Sequence, residues 1–157
     1  MDAKKLLTRW ENCRKSLRTL AECIPTDSCD CRDERFGVTP EAMSLGATVL
    51  HCASAEKSFR DSFTVTPGKL EWNTGINLEH FPLKKDILAV LDRETEITRK
   101  YLAGLTDTDL EKVVKLPWGE KNLGEVWLDW VGHEIHHRGT LIPTLRAAGV
   151  TPPSIWG

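Results

Sequence analysis

Apolar residues recur at steps of three and four along most of this chain, with no convincing strand alternation. Leu6, Trp10, Cys13, Leu17, Leu20 and Ile24 trace a helical stripe from about Ala3 to Cys23, and Pro25 ends it. The polar stretch from Pro25 to Val38, rich in Asp, Cys and Arg, reads as a loop. A second helix is predicted to start at Thr39-Pro40-Glu41 and run to about Phe63. Thr suits the cap there, Pro the first turn and Glu the positive end of the helix dipole. One face of this helix carries Leu45, Val49, Cys52, Phe59 and Phe63, which read as core. The adjacent face carries Ser44, Thr48, His51, Ala55, Ser58 and Ser62, small side chains around a single imidazole. Such a stripe lets a neighbouring helix approach closely and leaves room at His51.

Thr64 to Glu79 contains Pro67-Gly68 and Asn73-Thr74-Gly75, so it reads as a long connection. A third helix is predicted from about Pro82 to Ala103, with Ile87, Leu88, Leu91, Thr95, Thr98 and Leu102 inward and Gly104 at its C′ position. Thr106 to Leu110 suggests a short helical turn, and Lys112 to Leu116 an extended piece before Pro117-Trp118-Gly119. The fourth long helix begins near Asn122, with Glu125 three residues on completing an Asn variant of the capping box. It ends at Gly149, and Pro143 within it predicts a kink. The pattern implies an all-α four-helix bundle with long loops between helices. A chain of 157 residues suits one domain, residues 1–157.

Composition narrows the function classes. Hydrophobic residues make up 40% and charged residues 28%, as in ordinary soluble proteins. A formal net charge of -2 gives no basic footprint for nucleic acid. No apolar run approaches the roughly 20 residues of a membrane span. The N-terminal Met1-Asp2-Ala3-Lys4-Lys5 leads into an amphipathic helix rather than a signal segment, so a cytoplasmic location is expected. The five cysteines are odd in number, which argues against a disulfide framework. Cys23, Cys29 and Cys31 cluster in one predicted loop and read as reduced thiols. A second metal site or redox pair is the less favoured alternative, since no CxxC pair is present. The six tryptophans read as packing residues, with little basic charge interleaved for stacking on nucleic acid.

The residues that carry chemistry are histidines. His133 and His137 are four residues apart on the fourth helix and therefore share one face. That face also holds Val126, Trp130 and Leu141, so both imidazoles need partners for their ring nitrogens. Two core histidines bonded to carbonyls or carboxylates would meet that need. A shared divalent metal, with His51 as third ligand, meets it better. Asp129, one turn before His133, is assigned as the hydrogen-bond acceptor that fixes the His133 tautomer. His136 lies off this face, and His80 is given no role.

His133-Glu134-Ile135-His136-His137 also spells H-E-x-x-H, the zinc-protease motif, with Glu134 in the general-base slot. The extended motif needs Gly at 140 and His at 143, where the chain has Thr140 and Pro143. No His, Glu or Asp follows His137, so no downstream third ligand exists. A metal-dependent hydrolase is therefore the weakest of the metal readings.

The stretch from Trp118-Gly119-Glu120 through Leu128-Asp129-Trp130-Val131-Gly132-His133 to His137-Arg138-Gly139-Thr140-Leu141, ending at Leu145-Arg146-Ala147-Ala148-Gly149, resembles the DinB family. So does Leu50-His51-Cys52-Ala53-Ser54-Ala55-Glu56. The most specific part is H-x-x-x-H-R-G paired with one upstream helical histidine. The resemblance implies a DinB/YfiT-like four-helix bundle with a three-histidine site matching His51, His133 and His137. It implies nickel or zinc as the metal, and a homodimer. Related proteins include S-transferases using bacillithiol or mycothiol and a maleylpyruvate isomerase. The residue after H-R-G is often Gln in the family and is Thr140 here, which removes an amide near the site. Arg138 reads as a surface or interface charge, and Gly139 as permitting close helix packing.

Two functions follow as expectations. One is a metal-dependent transferase or related enzyme that uses a low-molecular-weight thiol on a small-molecule substrate. The other is a non-catalytic metal-binding or stress-linked protein. Neither expectation involves nucleic acid or membrane as partner.

Overall fold

The structure, a computed structural model, describes residues 2–25, 43–66 and 68–155. Helix α1 spans Ala3–Glu22, where the Asp2 carboxylate accepts from the Lys5 amide and caps the first turn. Helix α2 spans Leu45–Thr64. Its cap is the Ser44 hydroxyl, which accepts from the Ala47 amide, so the start lies beyond the predicted one; Thr39, Pro40 and Glu41 fall outside the described residues. Helix α3 spans Lys84–Ala103, two residues later than predicted, with Leu83 in an extended backbone as its N-cap. Gly104 closes α3 with φ −85°, a right-handed conformation open to any residue, so the glycine is not required there as predicted.

A short helix α4 (Asp107–Leu110) carries a reciprocal capping box between Thr106 and Asp109. Strand β1 (Val113–Leu116) pairs antiparallel with β2 (Gly119–Asn122), with Leu116 opposite Gly119. The expected extended piece is thus half of a hairpin. All four residues of β2 are exposed and none is apolar, so no alternation announces that strand. Helix α5 spans Leu123–Ala147, and Glu125 Oε2 accepts from the Asn122 amide at 3.2 Å. Pro143 lies inside it. Beyond the helix, Val150 N donates to Leu145 O and Gly149 N to Arg146 O, with Gly149 at φ +79°. This Schellman ending uses the freedom of glycine.

The four long helices pack in a ring: α1 and α2 each lie between α3 and α5. Two apolar clusters fill the interior. Leu17, Leu20, Val49, Leu91, Leu141 and Leu145 belong to one, and Leu6, Trp10, Phe59, Leu102, Val126 and Trp127 to the other. Arg14 on α1, Glu94 and Thr98 on α3, and Glu134 and His137 on α5 are buried polar residues that fall between the two clusters along their helices, and Glu56 on α2 lies beside Ala55 at the start of the second. That polar layer positions the candidate site.

Candidate metal centre

His51 on α2 and His133 and His137 on α5 turn toward one another because these helices are neighbours and the residues around His51 are small. Thr48, Ala55 and Ser58 are all buried. His133 Nε2 lies 3.2 Å from His51 Nε2 and 3.1 Å from His137 Nε2. Trp130, one turn earlier on α5, stacks on His133 with ring centroids 4.5 Å apart and planes 24° from parallel, which holds that ring in place.

Hydrogen bonding alone does not account for this convergence. A ring nitrogen carries either one proton or one lone pair. One linear hydrogen bond uses it up, so one of the two nitrogens beside His133 Nε2 is left facing it without a bond. Nitrogen ligands about 2.0–2.1 Å from one zinc ion lie roughly 3.3–3.4 Å apart in a tetrahedron. The observed separations are close to that spacing, and the three residues form a group that can hold a metal ion.

Protonation also suits ligation. Burial lowers the pKa of His51. It brings His133 and His137 down to about 4, and the neighbouring imidazoles lower them further. All three rings are therefore neutral near pH 7, the form in which imidazole ligates.

Glu134, adjacent in sequence to His133, faces away from this cluster. Arg14 on α1 bridges Glu134 at 2.8 Å and Glu56 at 2.6 Å through the same nitrogen. The Trp10 indole also donates to Glu56, at 2.7 Å. Burial pushes the Glu134 carboxyl up against the pull of Arg14. Burial together with Glu134 pushes the Cys13 thiol up to about 12. The general-base slot of the H-E-x-x-H pattern thus belongs to a buried ion cluster.

Asp129 does not hold His133: its carboxylate pairs with Lys121, and His133 Nδ1 is buried without a hydrogen-bond partner among the described residues. The reason is that Lys121 on β2 reaches Asp129 across the hairpin-to-helix junction. Arg138 is buried rather than a surface charge, and lowers the pKa of Glu134 and Cys13. Gly139 is exposed and no atom crowds the place of a Cβ, so it serves no close helix approach. The Thr140 hydroxyl donates to the His137 carbonyl, turned back on its own helix. His136 is exposed, and His80 bonds the Gly75 carbonyl through Nδ1. Cys13, Cys23 and Cys52 are free thiols, while Cys29 and Cys31 lie outside the described residues.

Sequence reasoning missed a cavity of 330 Å³ beside the histidines. Phe59, Trp72, Trp118 and Trp130 line it, with His51 and His133 at one end and Asp129 at its edge. Trp72 and Trp118 are 56% and 59% exposed, so they are not the packing residues expected. A tryptophan in the long connection and another in a Pro-Trp turn were the available signals.

A crystal structure of a DinB-like protein from Bacillus cereus ATCC 10987 superposes with TM-score 0.76 at 20% identity, covering 98% of this chain and 97% of that one. At that identity the likeness establishes a shared fold. No curated protein matches the chain. The family model described as the DinB superfamily matches residues 9–141, a span that includes the three converging histidines, and the chain belongs to that superfamily.

Proposed function

We propose that this protein binds one divalent metal ion, nickel or zinc, through His51, His133 and His137, and uses it in a transferase or related reaction of a low-molecular-weight thiol. The observation that carries this reading is the placement of His133 Nε2 within 3.2 Å of both other Nε2 atoms. Three protein nitrogens leave a coordination position for water or substrate, as in catalytic sites. A divalent ion held by His51, His133 and His137 would supply Lewis acidity there, lowering the pKa of a bound thiol or polarising a carbonyl.

The side chains do the rest. Burial keeps the three imidazoles neutral, Trp130 orients His133, and aromatic and aliphatic side chains line the cavity on that side. Arg14 holds Glu134 away, and Lys121 engages Asp129. With Glu134 held in the buried ion cluster, the arrangement favours a nucleophile activated by the metal itself over hydrolysis through that carboxylate as base. The same observation also supports a second reading, a metal-binding or stress-linked protein without turnover.

Elemental analysis of untagged protein purified without added metal tests the first step. About one nickel or zinc per chain, lost in His51→Ala, is expected; metal-free wild-type protein that takes up none of either ion overturns it. Thiol-dependent conjugation of an electrophile separates the enzyme from the binding protein. A cytoplasmic homodimer is part of the same proposal, and sedimentation of the purified protein as a monomer would remove the dimer from it.

A further inference from the structure

The cavity beside the histidines has walls of one kind and an end of another. Phe59 forms its floor, with ring centroids 4.6 Å from Trp130 and 5.9 Å from both Trp72 and Trp118. Leu116 and Val126 complete the apolar lining. The nitrogen-bearing end is His51 and His133. Two structural devices hold the exposed tryptophans over this floor. Trp118 sits in the two-residue turn between paired Leu116 and Gly119. Trp72 follows Glu71, whose carbonyl accepts from the buried Ser58 on α2.

We propose that this cavity takes a small organic molecule with an aromatic or similarly flat apolar body and one anionic donor head, a thiolate or carboxylate, directed at the histidine end. The inference rests on the metal-binding reading above and names the substrate class of that site. Aromatic walls favour flat apolar groups through edge-to-face and offset stacking. Such walls also attract cations, but here the charges oppose one. Among the described residues the one carboxylate lining the cavity, Asp129, pairs with Lys121. A divalent ion on three neutral imidazoles would make the inner end positive. A volume of 330 Å³ falls at the small end of ligand pockets, enough for one ring with a short head.

The test uses full-length cobalt-substituted protein and three probes: phenylmethanethiol, 2-mercaptoethanol and benzyltrimethylammonium. Cobalt absorption reads the donor head, and tryptophan fluorescence of the metal-free protein reads the aromatic body. Phenylmethanethiol should perturb the cobalt spectrum at least tenfold more tightly than 2-mercaptoethanol. That advantage should disappear in a Trp72→Ala/Trp118→Ala variant whose cobalt content is unchanged. Equal affinity for the two thiols, an advantage that survives loss of both tryptophans, or tighter binding of the ammonium probe overturns the inference. In the first two cases a cobalt spectrum that still responds to 2-mercaptoethanol leaves the metal reading standing. Failure to take up cobalt sinks the metal reading and the donor-head half together. The aromatic half then stands or falls on whether phenylmethanethiol quenches fluorescence in wild type and not in the double variant.

Discussion

The Nε2 atoms of His51 and His133 lie 3.2 Å apart across a sequence separation of 82 residues. Two neutral imidazoles gain at most one hydrogen bond from that approach, and His137 makes a second approach to the same atom at 3.1 Å. His51 therefore separates a shared metal from a pair of helical histidines. His51→Ala should weaken zinc or nickel binding on the order of a hundredfold, about 2.7 kcal/mol. His133→Ala and His137→Ala should do the same. His136→Ala should leave metal affinity near wild type, since that ring is exposed and packs edge-on against His137 without joining the three-nitrogen group. Titration calorimetry measures all four; wild-type affinity in His51→Ala would end the three-histidine model.

The metal-free protein should lose stability in mild acid. His133 and His137 have folded pKa values of about 4, below the roughly 6.5 of a free imidazole. The unfolded chain therefore binds protons first as pH falls. Stability from these two groups is intact above the unfolded value, declines between about 6.5 and 4, and levels off below. Metal should shift the decline to lower pH, because it must be displaced before the rings protonate. Thermal melts from pH 8 to 4, with and without metal, check this. A His133→Ala/His137→Ala variant that shows the same metal-free decline would assign it elsewhere.

Asp129→Asn should leave metal affinity within about twofold of wild type. An acceptor that fixes a ligand's tautomer contributes 10–100-fold to affinity. Asp129 is instead engaged with Lys121. A tenfold loss in calorimetry would show that Asp129 serves His133 after all.

The helical stripes of α1 and α3 and the pair His133/His137 are legible in the sequence because each rests on periodicity within one element. His51 is legible for a related reason, since small neighbours leave its face open. Asp129 misleads because spacing says which residues share a face and says nothing about Lys121, which reaches it from β2. Strand β2 is silent, being polar and exposed throughout. Glu94 and Arg60 look like surface charges, yet both are buried and paired at 3.0 Å, a fact that depends on how α2 meets α3. Trp118 is equally opaque: a turn residue becomes a cavity wall only once the hairpin has docked beside Phe59.

The buried ion cluster gives the sharpest stability prediction. Arg14 is the cation between Glu56 and Glu134, and all three side chains are almost fully buried. Arg14→Met removes it and leaves two carboxylates facing each other in a low-dielectric interior, at a cost of about 3–5 kcal/mol. Glu134→Gln is milder, about 1–3 kcal/mol, because Arg14 keeps Glu56 and Trp10 still donates to that carboxylate. The sign with pH follows from burial, which already raises the Glu134 carboxyl. Without Arg14 that rise must grow, so acid neutralises Glu134 and the Arg14→Met deficit should shrink between pH 7 and pH 5. Urea unfolding at the two pH values measures it. Glu134→Gln should also retain wild-type metal affinity, and neither wild type nor variant should hydrolyse peptides. A neutral Arg14→Met, or peptide hydrolysis that Glu134→Gln abolishes, would return Glu134 from the structural cluster to the role of a base.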